Sequence, residues 1–141
     1  MALRLPVGEV TALLGPGLVR CRIMAGLDDG SGRGEGGGPA AVTRLQFGKH
    51  AAVATRLAAI REARGALVLA DRVTDGLEPG GRREVLVALR DLAATGVAVL
   101  VNDADPVAAL AVAGGVLRAD RTGGLALERA DEGIEKSYLA S

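Results

Sequence analysis

Aromatic residues are almost absent from this sequence of 141 residues, which has only Phe47 and Tyr138 and no tryptophan. The core must therefore be built from Val, Leu, Ile and Ala. Little aromatic surface remains for stacking nucleic-acid bases or anchoring a protein interface. The hydrophobic fraction of 49% and the charged fraction of 24% are nevertheless those of a folded protein rather than of a disordered one.

The sequence also lacks an excess of either charge, a pair of cysteines and a long apolar run. Its 17 basic residues balance 17 acidic ones, so the net charge favours neither nucleic acid nor an anionic membrane as a partner. Cys21 is alone and cannot form an intramolecular disulfide, and no secretory signal opens the chain. Every apolar run falls short of the roughly 20 residues of a membrane helix. These absences predict a cytoplasmic protein that does not insert into a membrane.

The length allows one domain, residues 1–141, and the order of apolar runs and helical patterns indicates an α/β class. The pattern predicts strands at 9–14, 66–70 and 97–101, helices at 18–27, 50–64, 82–95 and from Pro106 to about Ala113, and a terminal hairpin of 116–119 and 125–129. Because a strand, a helix and a second strand follow one another, the central sheet should be parallel and linked by right-handed crossovers.

Glycine, proline and aspartate mark the predicted boundaries. Gly65 stands where a helix C-terminal cap belongs, and the helical pattern of 82–95 stops at Gly96. Asp105 and Pro106 are a suitable N-cap and first helical residue. The glycine-rich stretch 30–38 predicts a flexible loop. Residues 130–141 are typical of a frayed tail or a short docking helix.

Four stretches in the right order resemble the nucleotide-binding domain of ABC ATPases. GEVTALLGP (8–16) is similar to the strand before the Walker A loop, and MAGLDDGSG (24–32) to the segment after the first helix. ALVLADRVTDGLEP (66–79) is similar to the Walker B strand and D-loop, and GVAVLVNDADP (96–106) to the switch-histidine strand. The resemblance implies a P-loop NTPase-like, three-layer α/β domain with a mostly parallel central sheet.

The phosphate-binding part of this resemblance departs from the family. A Walker A loop needs a lysine and a Ser or Thr, because these contact the outer phosphates and magnesium. The turn that begins at Gly15 is shorter and has neither residue. The resemblance leaves Gly15, Gly17, Arg20, Arg22 and Asp71 as relic nucleotide-binding residues. In the alternative interpretation, Arg20 or Arg22 replaces the lysine and Asp71 still holds magnesium with ATP.

The residues that match the family's hydrolytic machinery also differ. Arg72 follows Asp71 where the family has the glutamate that polarises water, and a cation cannot act as that base. Asp103 replaces the switch histidine, and 47–51 replace the LSGGQ signature. The helical subdomain is reduced to the glycine-rich loop and a few residues. The resemblance therefore implies no catalytic residue and no ATP hydrolysis.

Structural roles are the simpler interpretation of the remaining candidates. Asp71 is either a relic metal ligand or, more commonly, a strand-end carboxylate paired with Arg72 or a neighbour. His50 has no second ligand at metal-binding spacing, which predicts an exposed helix-start histidine and no metal site. Cys21 is expected to be a small buried residue of the first helix.

The sequence thus favours a non-catalytic scaffold, regulatory or assembly subunit without a cofactor, which binds another protein or itself as a homo-oligomer. The alternatives are an ATP-binding transporter subunit or nucleotide sensor, and a remnant without function. The D-loop-like turn survives although the residues around it have changed. Its vicinity supplies the candidate interface residues Asp75, Leu77, Glu78, Arg82 and Arg83. Arg82 and Arg83 are expected at a helix start, where cations oppose the helix dipole.

Overall fold

Six strands form a single sheet in the order β2-β3-β4-β1-β5-β6. The structure is a computed structural model that describes residues 4–27 and 41–129. Its elements in chain order are β1 (Val10–Leu14), α1 (Gly17–Gly26), β2 (Val42–Leu45), α2 (Val53–Glu62), β3 (Leu67–Asp71), α3 (Pro79–Ala94), β4 (Ala98–Asn102), α4 (Pro106–Leu110), β5 (Gly115–Ala119) and β6 (Leu125–Arg129). The predictions for residues 30–38 and 130–141 lie outside the described ranges.

The first five strands are parallel, and β6 pairs antiparallel with β5. In register, β1 places Ala12 beside Val101 of β4 and beside Val116 of β5. Strands β3 and β4 are continuous apolar runs because helices cover both faces of the sheet at its centre, and a buried strand needs no polar alternation. The predicted parallel sheet and terminal hairpin are confirmed.

The core has two parts, one on each face of the sheet. On the first face, α2, α3 and α4 pack against alternate strand residues such as Val68 and Val99. Helix α3 contributes the buried residues Val85, Leu86, Leu89, Leu92 and Ala93, which recur at helical spacing. On the second face, Met24 of α1 packs against residues such as Leu100 of β4. The sheet is therefore the middle layer of three.

The boundaries of helices α2, α3 and α4 differ from the predicted ones. Helix α3 begins at Pro79 rather than at residue 82, because proline is well suited to the first position of a helix. Helix α2 runs only from Val53 to Glu62, and α4 ends at Leu110. The predicted N-cap is confirmed, since the Asp105 side chain accepts a hydrogen bond from the Ala108 N–H at 3.2 Å.

The expected role of Gly65 as the cap of α2 is wrong. Ala63 caps the helix, and Gly65 adopts a φ of +135° two residues later. A β-carbon at Gly65 would lie 3.2 Å from the carbonyl oxygen of Ala41, at the entrance to β2. The glycine therefore permits the close approach of two chain segments at the start of β3.

Asp120 organises the turn between β5 and β6. Its Oδ1 accepts hydrogen bonds from the Thr122 hydroxyl at 2.7 Å and from the N–H groups of Thr122 and Gly124 at 2.9 and 2.8 Å. These donors, the Thr122 hydroxyl first, hold the pKa of Asp120 below its ordinary value because they favour the charged carboxylate. The turn that the sequence predicted at 122–124 is thus held in place by the side chain of Asp120.

No helix in the ranges 4–27 and 41–129 is long and apolar enough to cross a membrane.

Candidate functional site

The carboxyl ends of the parallel strands meet at one edge of the sheet. Strands β1, β3 and β4 end there at Leu14, Asp71 and Asn102. In open α/β sheets, ligands bind in the crevice outside this edge, where strand order reverses. Here β1 lies between β4 and β5, so the reversal falls beside β1. This edge is therefore the candidate site.

Arg20 extends from α1 over the ends of β1 and β4. Its Nε donates to the Gly15 carbonyl at 3.0 Å. Its Nη1 donates to Oδ1 of Asn102 in a short hydrogen bond and to the Asp103 carbonyl at 3.3 Å. The guanidinium is thus held by oxygen atoms of the protein itself, at the carboxyl edge of the sheet.

Asp71 is held by two side-chain amides rather than by a cation. Its Oδ1 accepts from Nδ2 of Asn102 at 3.0 Å, and its Oδ2 accepts from Nε2 of Gln46 at 2.9 Å. Arg72 pairs with Asp75, with 2.8 Å between Nη2 and Oδ2. Of the two partners predicted for Asp71, Arg72 or a neighbour, the structure shows neighbours at the strand end.

A chain of hydrogen bonds therefore crosses four neighbouring strand ends. We call its members Arg20, Asn102, Asp71 and Gln46 the edge network. Asn102 ends β4 and Asp71 ends β3, while Gln46 follows β2 and Arg20 lies on the helix that follows β1. Gln46 and Asn102 were not predicted as site residues, because an uncharged amide side chain does not stand out in a sequence as a charged one does. The position of Asn102 directly after an apolar strand run was the available signal.

Arg72 adopts an unusual backbone conformation beside this network. It is the one non-glycine residue in the described ranges with a positive φ, at +56°. Its N–H donates to the Asn102 carbonyl at 2.7 Å. This hydrogen bond extends the pairing of β3 with β4 by one residue beyond the end of β3. Its side chain is 59% exposed and pairs with Asp75. A cation, rather than a general base, thus stands next to Asp71.

Asp103 is buried, with 3% of its surface exposed, and it joins two loops. Its Oδ2 accepts from the Thr74 hydroxyl at 2.6 Å, and its Oδ1 accepts from the Asp105 N–H at 2.8 Å. Both oxygen atoms thus have partners within the protein. The carboxylate at the switch-histidine position contributes to loop structure.

The remaining candidate residues lie on the short Walker A-like turn and on helix α1. Gly15 has a φ of +136°, and a β-carbon there would collide with the carbonyl oxygen of Ala119. Gly17 begins α1, and Arg22 is exposed. Cys21 is also exposed, so its expected burial is wrong. Met24 is the buried residue of helix α1, and Ile23 and Leu27 pack partly buried against the same core.

The candidate interface residues divide into exposed and structurally engaged ones. Glu78 and Arg83 are exposed. Leu77 is half-buried against the first-face core, and Asp75 pairs with Arg72. Arg82 pairs with Asp105, with 3.3 Å between Nη1 and Oδ2, so this cation at the helix start is compensated by an acid.

His50 is exposed, as predicted, and no cluster of three or more His, Cys, Asp or Glu side chains suited to a metal ion occurs in residues 4–27 and 41–129.

Comparisons with known proteins identify the fold. No family model and no curated protein sequence matches the chain. The chain is similar in structure to a nucleotide-free ATP-binding cassette from an ABC transporter, with a TM-score of 0.66, 12% identity and coverage of 94% of this chain and 85% of that one. It is also similar to cbiO1 from Clostridium perfringens, part of the ABC transporter complex cbiONQ (TM-score 0.60, 12% identity, coverage 97% and 83%).

A third similar structure is the complex of an archaeal ribosomal stalk protein and an archaeal ribosome recycling factor (TM-score 0.59, 15% identity). The alignment covers 96% of this chain but only 37% of that one. These likenesses show that the chain has the fold of an ABC nucleotide-binding domain. It is a mixed α/β, P-loop NTPase-like domain with a mostly parallel sheet, and the described residues contain no helical subdomain.

Proposed function

We propose that this ABC cassette-like chain is a non-hydrolysing scaffold, regulatory or assembly subunit that works in the cytoplasm through contacts with another protein or with itself. The observation that carries the proposal is the edge network. Its cation and its carboxylate bind each other through Asn102 instead of facing an open phosphate site. A crevice whose charges are already satisfied has little electrostatic attraction left for a nucleotide.

The backbone of the short turn supports the same proposal. A phosphate-binding loop presents successive N–H groups to the ligand. Here the Gly15 carbonyl instead accepts from Arg20, and Pro16 has no N–H. Arg72 is a cation and cannot act as the base that activates water, and both carboxylate oxygens of Asp103 already accept hydrogen bonds within the protein. The fold is therefore retained without its usual chemistry, as expected for a domain that serves as a binding partner.

ATP with magnesium is expected to leave the melting temperature unchanged, because Arg20 and Asp71 of the edge network already have hydrogen-bond partners within the protein. A ligand at about 100 times its Kd adds roughly 2.7 kcal/mol to the free energy of unfolding, a shift of roughly 10 °C for a domain of this size. Differential scanning fluorimetry at millimolar ATP measures this shift. A phosphate-release assay should give turnover below about 0.1 per second, whereas typical enzymes reach 1 to 1000 per second.

The variant Asp71→Ala distinguishes specific binding from contamination. An ATP-dependent shift in the natural protein that disappears in Asp71→Ala would establish the ATP-binding alternative, with Asp71 as the magnesium ligand. Arg72→Glu should not restore hydrolysis, since the short turn at Gly15 is a separate defect. Hydrolysis by Arg72→Glu would show that only the catalytic base is missing.

Self-association is expected through the exposed part of the D-loop-like turn and the start of α3. Light scattering at about 100 μM should give a mass above the 14.2 kDa of one chain. Arg83→Glu is the cleanest test because the side chain is exposed, whereas Leu77→Asp also removes half-buried apolar surface. Reversal of one interface charge should weaken association about 5- to 30-fold, corresponding to about 1 to 2 kcal/mol.

Arg121→Glu is the matched control, because Arg121 is exposed on the β5–β6 turn, and β5 lies three strands away from β3 in the sheet. Equal effects of the two substitutions would point to a general charge effect rather than to this surface. A monomer at about 100 μM that gains no partner in a cell extract would contradict the scaffold proposal and favour a remnant without function.

A further inference from the structure

Strand β6 forms one edge of the sheet, and no strand pairs with its outer side in the part of the chain that the structure describes. Hydrogen-bonded and non-hydrogen-bonded positions alternate along an antiparallel pair. The Asp120 N–H donates to the Gly124 carbonyl at 3.0 Å, which sets this alternation for the pairing of β5 with β6. The N–H and C=O groups of Leu125, Leu127 and Arg129 therefore point away from β5.

Leu127 is a large apolar side chain in the middle of this edge, with 44% of its surface exposed. Its partner in register is Leu117 of β5, which is completely buried in the core of the second face. Paired residues of neighbouring strands share a face, so Leu127 lies on the second face as well. The apolar surface of that face thus extends outward to Leu127 at an edge whose backbone is a template for another strand.

A second copy of β6, related by a two-fold axis at Leu127, matches this edge residue by residue. Leu127 then lies opposite Leu127 of the second copy, and Leu125 lies opposite Arg129 of the second copy. Because all three residues have outward-pointing backbone groups, each pair exchanges both N–H···O hydrogen bonds, about six in total. The side chains at positions 117 and 127 of both copies then form one continuous row of leucines across the interface, which covers Leu127.

The charges on the first face of the sheet are also complementary in this arrangement. Arg118 of β5 stands beside Ala126, and its Nε lies 3.6 Å from Oε1 of Glu128. Glu128 of the second copy would lie opposite Ala126, about 10 Å or two strand spacings from Arg118 between Cα atoms. Extended arginine and glutamate side chains span this distance, and the small Ala126 between them leaves the path open. Each copy therefore offers a cation to the acid of the other.

We propose that β6 is a self-pairing edge, through which two copies of this chain form a dimer with one continuous sheet. The leucine row and the reciprocal charges identify the occupant as a second copy. The inference goes beyond the proposed function, because it uses a surface separate from the D-loop-like turn and does not depend on whether the carboxyl edge binds a nucleotide. Since β6 has five residues, the interface is small and its Kd should be micromolar.

Amide hydrogen exchange measured by NMR at low micromolar and at millimolar protein concentration tests the pairing. Exchange at Leu127 should become at least about 10-fold slower at the higher concentration, because its N–H becomes bonded only in the dimer. The amides of Ala126 and Glu128 already face β5 and should change much less. Association without slower exchange at Leu127, or with equal slowing at all three amides, would overturn the inference.

Leu127→Lys should weaken association at least about 10-fold in sedimentation velocity, because two lysines would meet across the axis and a lysine blocks edge-to-edge pairing. A melting temperature close to that of the natural protein would show that the variant folds. Val7→Lys is the matched control, since Val7 is also an exposed apolar residue. Its neighbour Gly8 donates to the Val97 carbonyl just before β4, which lies three strands from β6.

The same measurement separates this inference from the proposed function. Loss of the dimer in Leu127→Lys but not in Arg83→Glu would support pairing through β6 and reject the D-loop-like turn as the self-association surface. The reverse result would overturn β6 pairing and support that turn. A natural chain that stays monomeric at millimolar concentration would also overturn β6 pairing, whereas a different protein could still be the partner in the proposed function.

Discussion

Replacing Gly15 by alanine is expected to lower the free energy of unfolding by about 2 to 4 kcal/mol. The residue has a φ of +136°, which an L-amino acid other than glycine rarely adopts. The new β-carbon would also collide with the Ala119 carbonyl oxygen. Parallel pairing of Leu14 with Arg118 keeps the two segments from moving apart. Conformational strain and the collision therefore act together.

Urea denaturation followed by far-ultraviolet circular dichroism measures this loss. Gly80→Ala is the matched control, because an added β-carbon there meets no atom within 4 Å, and alanine favours the helix it would join. It should leave stability unchanged or raise it by up to about 1 kcal/mol. A loss below about 1 kcal/mol for Gly15→Ala would show that the turn can rearrange, as a ligand-responsive phosphate loop would.

Asn102→Leu is expected to lower the free energy of unfolding by about 2 to 4 kcal/mol, because Asn102 is the centre of the edge network. The side chain is 1% exposed, accepts from Arg20 and donates to Asp71. Leucine has a similar size but can do neither. The substitution therefore leaves a guanidinium and a carboxylate without their shared partner in a partly buried place.

A double-mutant cycle with Arg20→Met tests whether the network acts as a unit. The two substitutions should be non-additive by about 0.5 to 3 kcal/mol, since each removes the same hydrogen bond. Chemical denaturation of the two single variants and the double variant gives this coupling. Additive losses would mean that Arg20 and Asn102 contribute separately, and the edge network would no longer support the proposed function.

The fold could be predicted largely from local patterns. Apolar runs at 9–14, 66–70 and 97–101 lie within a residue of β1, β3 and β4. Asp105 caps α4 as expected, and the turn before β6 was marked by two glycines. These features depend on neighbours in the chain. They can therefore be recognised without knowledge of what packs against them.

Strand β2 was not predicted, since its four residues, VTRL, do not form a continuous apolar run. It forms because the backbone of Val68 in β3 offers hydrogen bonds beside Thr43. For the candidate site, the sequence predicted individual residues but not the hydrogen bonds between them. Arg20 and Asp71 were identified, but the amides of Gln46 and Asn102 that satisfy them were not.

By itself, the sequence determined the α/β class and the central strands, and it showed that residues 15–22 include no Lys, Ser or Thr. These follow from composition, periodicity and motif chemistry, which are local. Tertiary structure alone decided that Cys21 is exposed, that Arg56 is buried and that Arg20 meets Asn102. Burial and hydrogen bonding between residues as far apart as these depend on which loops meet at the sheet edge, and strand order sets that geometry.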